Sequence, residues 1–167
     1  MTARPSFARR AGIALGSLAL SATVIPSISA TRAKADPLCA ALRTFVASVK
    51  PDEKRKIEFR TSWFSKSKNT DLGLIGKSCE HGGYDPARTA CAALMKNTSI
   101  EFAGLNAIRV VQCLSPGTRF ASDVQLGHID VEFTYGSKNR GQIVSVELKE
   151  PTKTNDPQVM TSEVDGY

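Results

Sequence analysis

Hydrophobic and polar positions alternate most cleanly between Val124 and Lys149. Ile129, Val131, Phe133 and Tyr135 share one parity, and His128, Asp130, Glu132 and Thr134 share the other. Beyond the turn residues Gly136-Ser137-Lys138-Asn139-Arg140-Gly141, Val144, Val146 and Leu148 alternate with Ser145, Glu147 and Lys149. A period of two is what a half-buried strand requires, because successive side chains leave opposite faces of the pleat. The segment therefore predicts a β-hairpin that pairs Phe133 with Val144 and Val131 with Val146. On its other face the same register sets Asp130 opposite Glu147 and His128 opposite Lys149. Val124 and Leu126 fall out of phase with Ile129, which predicts a β-bulge at Gly127.

The period changes elsewhere along the chain. Leu38, Leu42, Phe45, Val46 and Val49 recur at three- and four-residue steps, predicting a helix over Pro37–Val49 with Asp36 as its cap and Pro51 as its stop. Ile57, Phe59, Thr61 and Trp63 alternate with Lys56, Glu58, Arg60 and Ser62, a strand over residues 55–63. Ser65 to Tyr84, rich in Gly and Asn, reads as a long loop. Asp85-Pro86 opens a second helix, with Asp85 as cap and a stripe of Ala90, Cys91, Leu94 and Met95. Ala107–Leu114, with Ile108 and Val110 on one parity and Arg109, Val111 and Cys113 on the other, reads as a third strand. The tail from about residue 151 is polar, with a short edge strand at 158–164.

These elements predict an α+β fold. It is a two-layer sandwich whose mostly antiparallel sheet of four or five strands has two helices on one face. Ile57, Phe59, Trp63, Ile108, Val110, Ile129, Val131, Phe133, Val144, Val146 and Leu148 would line the inner sheet face. Leu42, Phe45, Val46, Leu94 and Met95 would cover it.

Composition changes this picture in three ways. Arg4, Arg9 and Arg10 precede an apolar run from Ala11 to Val24, and Ala33-Lys34-Ala35 offers a small-residue cleavage site before Asp36. Residues 1–35 thus read as a signal peptide, with the Arg9-Arg10 pair also fitting twin-arginine export, and 36–167 as one globular domain. The whole chain holds 22 Lys and Arg against 16 Asp and Glu, but five bases (Arg4, Arg9, Arg10, Arg32, Lys34) and no acids lie in the leader. The remaining 17 against 16 is nearly neutral, which excludes a dedicated nucleic-acid binder. Within it, the bases from Lys50 to Lys68 read as a solvated strand edge protected by Lys. Finally Cys39, Cys79, Cys91 and Cys113 are an even set in an exported domain, predicting two disulfides of unspecified pairing. Their spacing lacks the close Cys pair of a four-thiolate zinc site. Periplasmic or secreted localisation follows, with no membrane insertion once the leader is removed.

Candidate chemistry is sparse. Cys79-Glu80-His81 places a thiol near an imidazole, but a disulfide makes Cys79 inert. The outer sheet face gathers His128, Asp130, Glu132 and Glu147, and the directly opposed Asp130 and Glu147 repel unless a base, a cation or a shared proton offsets them. His128, Asp130 and Glu132 project from one strand face and could hold a divalent metal between them, although a flat strand face gives poor closure around one. No nucleophile–base arrangement, phosphate loop or metal motif is complete, so no metal or other cofactor is implied. The expected function is a non-enzymatic binding or inhibitor-type protein acting on a protein or other component of the cell envelope. The alternative is a small acid–base hydrolase using His128, Asp130, Glu132 and Glu147, with His81 brought across by the fold. A ligand carrier would need a cavity between helices and sheet.

Overall fold

The computed structural model describes residues 35–67, 70–137, 140–153 and 156–167, with the side chains of 63–75 outside that description. The leader expected over residues 1–35 lies outside it apart from Ala35, and so does the side chain of Trp63. In chain order the elements are α1 (Pro37–Ser48), β1 (Lys54–Ser67), β2 (Thr70–Glu80), α2 (Asp85–Asn97), α3 (Ala103–Leu114), β3 (Ile129–Ser137), β4 (Arg140–Lys149) and β5 (Gln158–Gly166).

Helix α1 starts where its sequence directs. The Asp36 carboxylate accepts the Leu38 N–H at 2.9 Å, and Pro37 occupies the first turn, where a missing N–H leaves nothing unpaired. Its buried stripe is Leu38, Leu42, Phe45 and Val46. In α2 the cap position falls on Tyr84 and not on Asp85, which is the first helical residue and sits well for the helix dipole.

Residues 103–114 form a helix where a strand is expected. Ala103, Ala107, Val110, Val111 and Leu114 recur at three- and four-residue steps over twelve residues, and Asn106, Ile108 and Cys113 are buried beside them. A helix buried on most sides looks alternating in a short window, because nearly every position is apolar. Ile108 and Val110 thus belong to the helical layer, not to the sheet. Asn106 is satisfied locally: it donates to the Ser99 carbonyl at 2.6 Å and accepts from the Ser99 N–H at 3.0 Å.

The expected loop over Ser65–Tyr84 is mostly strand. β2 pairs antiparallel with β1 from Glu58 opposite Glu80 to Ser67 opposite Thr70, with two register shifts. Its Gly73 and Gly76 lower intrinsic strand propensity, so pairing with β1, and not its own sequence, makes it a strand. The bulge expected at Gly127 is absent: β3 begins at Ile129, and the chain before it is irregular, with Leu126 packed against the core.

The five strands form one antiparallel sheet in the order β2-β1-β5-β4-β3. β5, expected as a short edge strand, is the central one, and β1 is interior rather than an edge. Ile57, Phe59, Ile129, Val144, Val146, Leu148, Met160 and Val164 are buried on the inner face. Val131 and Phe133 are half-buried at its margin, and Met95, expected in the core, is exposed. α1 packs against α2 and α3, and all three helices cover that face.

Two disulfides cross-link the elements, one within the helical layer and one between the layers. Cys39–Cys113 joins α1 to α3, and Cys79–Cys91 joins the edge strand β2 to α2. Arg109, placed in a strand by the expected alternation of 107–114, lies instead on α3 and contacts Asp36 at 2.7 Å.

Candidate functional site: the outer face of the sheet

With the helices on one side, no helix or further strand among the described residues covers the other face of the sheet. The registers lay its polar side chains out in rows running across the strands. One row reads Glu80, Glu58, Thr161, Glu147, Asp130, carrying four carboxylates. The next reads Ser78, Arg60, Val159, Lys149, with His128 just before the start of β3. On the other side lie Lys56, Glu163, Ser145 and Glu132. Rows two residues apart along a strand are separated by about 6.7 Å, within reach of long basic side chains.

Those bases close on the acid row. Arg60 bridges Glu58 at 2.6 Å and Glu80 at 3.0 Å, Lys149 meets Glu147 at 2.9 Å, and Lys56 lies 3.6 Å from Glu58. Lys54 meets Glu163 at 2.7 Å. The Arg60 hydrogen bond holds the Glu58 carboxyl below its ordinary value of 4.5, against the opposing effect of burial, and Glu58 raises Arg60 in turn. The bond to Glu163 raises Lys54 likewise. The basic run of β1 is therefore spent on neighbouring acids. Each exposed pair contributes between about 0 and 1 kcal/mol, so the lattice fixes charge placement more than it stabilises the fold.

The hairpin register is as the alternation predicts, with Asp130 opposite Glu147, Val131 opposite Val146 and Phe133 opposite Val144. Lys149 offsets the Glu147 charge. Among the described residues, Asp130 and Glu132 have no basic partner and are exposed. His128, Asp130 and Glu132 sit together along the β3 edge, whereas His81 follows β2 at the far edge. Four strand spacings separate those edges, about 19 Å. His81 accepts the Gly83 N–H at 3.2 Å and borders a separate hollow of about 290 Å³ beside Lys54, Lys56 and Glu80. The fold thus does not bring His81 to the β3 carboxylates.

Along the middle of the sheet, Glu150, Pro151, Thr152, Asp156 and Pro157 border an open groove of about 610 Å³ above Arg60, Glu147 and Val159. Its floor comes from β5, whose Val159, Thr161 and Glu163 the sequence reading left out of the site. The alternation of Met160 and Val164 against them was visible, but Ser162 on the buried face weakened the contrast. Between helices and sheet, the cleft beside Phe59, Asn106 and Met160 is too narrow to admit water.

Among the described residues, one set of three potential metal-ligand atoms lies within 4.8 Å: Asp36, Cys39 and Cys113. Both sulfurs are in the disulfide and cannot act as thiolates, and Asp36 is engaged with Arg109 and the α1 N-terminus. The two disulfides fit an oxidising compartment. No helix among the described residues is long and apolar enough to cross a membrane. The fold and this face define a disulfide-stapled α+β sandwich with one charged sheet surface that no helix among the described residues covers. No protein-family model, curated protein or solved structure matches the chain.

Proposed function

We propose that the chain is a non-enzymatic binding protein of the inhibitor type. In this reading the leader at 1–35 exports it to the periplasm or beyond, where its outer sheet face meets a protein or other component of the cell envelope. The observation that carries it is the ion-paired lattice on that face. Arg60, Lys56 and Lys149 are all committed to Glu58, Glu80 and Glu147. A carboxylate held ionised by a bonded guanidinium is a poor proton donor near neutral pH, whereas a fixed pattern of paired charges suits recognition.

Two measurements test this. A photo-crosslinking side chain at Thr161, the centre of the face, is expected to capture a partner in cell-envelope extract, while one at the exposed Ala92 of α2 captures none. Equal capture at both positions rejects the surface. In parallel, the exported protein is assayed against ester, amide and glycoside substrates. Turnover that disappears in Asp130→Asn and Glu147→Gln, with folding unchanged, would establish the hydrolase alternative in place of binding.

A further inference from the structure

Both ends of the sheet expose a strand, but they are built differently. β2 is tied down: Cys79 is bonded to Cys91 of α2, Lys77 donates to the Thr98 carbonyl at 2.9 Å, and its pairing with β1 slips twice. β3 has none of these devices. It pairs with β4 over nine residues without a slip, from Ile129 opposite Leu148 to Ser137 opposite Arg140. Its sequence, IDVEFTYGS, has no proline, lysine or arginine. Among the described residues no strand lies on its other side. An edge of this length, with no strand beside it among the described residues, presents a row of N–H and C=O groups able to pair, the feature that native sheets usually blunt with lysine, proline or a bulge.

We propose that the free edge of β3 is a docking site for an extended peptide segment of alternating basic and apolar residues, which adds to the sheet as a sixth strand. This rests on the binding reading above and names the chemistry of the partner. Strand addition draws affinity from main-chain hydrogen bonds and specificity from alternate side chains. On the outer face the edge offers Asp130 and Glu132, two residues apart. Glu58, Glu80, Glu147 and Glu163 all have basic partners, whereas no ion pair among the described residues reaches Asp130 or Glu132. On the inner face it offers Val131, Phe133 and Tyr135, half-buried and packed against the core, with the rest of their surface at the margin an added strand would cover. A segment reading base-apolar-base-apolar answers both faces at once, because its side chains also alternate. Pairing of β3 with the β3 of a second copy does not answer them, since none of the residues Ile129–Ser137 is basic.

The test uses the exported protein labelled with nitrogen-15 and three capped peptides: TKVKVTG, its acidic counterpart TEVEVTG, and KKVVTTG, which keeps the composition but loses the alternation. Amide shifts on titration are expected to concentrate on residues 129–137 and their β4 partners. TKVKVTG should bind about tenfold more tightly than TEVEVTG, from two cross-strand charge pairs. KKVVTTG should not bind at the β3 edge. In the double variant Asp130→Lys, Glu132→Lys, both sites being exposed, the preference should invert in favour of TEVEVTG. The proposal is overturned by equal affinity for the two alternating peptides or by no shift up to about 5 mM. It is equally overturned by shifts centred on the Phe102–Leu105 region or by edge-to-edge dimerisation without peptide. If the peptides fail while crosslinking at Thr161 persists, the edge is wrong and the surface stands. If both fail, binding through this face is itself rejected.

Discussion

The two disulfides close loops of very different length, and this gives a sharp test of how they stabilise the protein. Cys39 and Cys113 are 74 residues apart, and Cys79 and Cys91 are 12 apart, nested inside the first loop. If each acts by restricting the unfolded chain, loop entropy assigns about 4.5 kcal/mol to the long closure and about 3 kcal/mol to the short one at 25 °C. Cys113 and Cys91 are both buried, so alanine removes similar packing in each case and the difference survives. With an unfolding entropy of about 2.1 cal/mol/K per residue over about 130 residues, the losses correspond to falls in Tm of about 15 °C and about 10 °C. The assay is urea unfolding followed by circular dichroism on the Cys39→Ala/Cys113→Ala and Cys79→Ala/Cys91→Ala variants. The expected order is a larger loss for the first pair. A loss at Cys79–Cys91 equal to or greater than that at Cys39–Cys113 would refute the entropic account. The short bond would then act by holding the edge strand β2 against α2 in the folded state.

Three further outcomes are expected. A Cβ on Gly104 of α3 would collide with the Leu126 carbonyl oxygen, a backbone atom, so Gly104→Ala should destabilise by about 1–3 kcal/mol in thermal unfolding despite the better helix propensity of alanine. Gly76→Ala, with nothing within 4 Å, should be neutral or mildly stabilising. Arg109 and Arg60 hold Asp36 and Glu58 below their ordinary values of 3.8 and 4.5. A lowered native value means that this stability is complete above the ordinary value and lost as pH falls through the lowered one. Urea titrations should therefore be flat from pH 7 to about 5 and fall below about 4. Asp36→Asn should soften that fall by only a few tenths of a kcal/mol, because the pair is exposed enough for solvent to screen it. Asp36→Ala also loses the cap and should cost about 1 kcal/mol at neutral pH. Lastly, Asp130→Asn should raise stability by about 0.2–1 kcal/mol by relieving its opposition to Glu147, while Glu147→Gln should gain less because it also loses Lys149.

The β3–β4 hairpin was legible residue by residue, since strict alternation on both arms admits one register that keeps the apolar sets together. Helix α1 was legible too, from its cap, its proline and its stripe. What escaped has a physical reason in each case. α3 is buried nearly all round, so its helical period was hidden under apolar residues at almost every position. β2 is a strand by pairing rather than by propensity, and its glycines advertise a loop. β5 looked like an edge because its buried face includes Ser162, and the place of a strand in a sheet is not written in its own residues. The candidate surface was visible in part. Asp130, Glu147 and Lys149 followed from the hairpin, but Glu80 and Thr161 needed the full strand order.

The latest strand in sequence is the middle one in space. β1 with β2 and β3 with β4 are each complete hairpins, yet they share no pairing until Gln158–Gly166 slides between them. Any process that delivers this chain from its amino end onward must hold two unjoined half-sheets, each with an open flank, until that segment arrives. The core can seal only then. A ribosome or translocation pore that kept residues 158–166 sheltered would keep the whole molecule in a state fit for threading, and their release would act as the signal to fold.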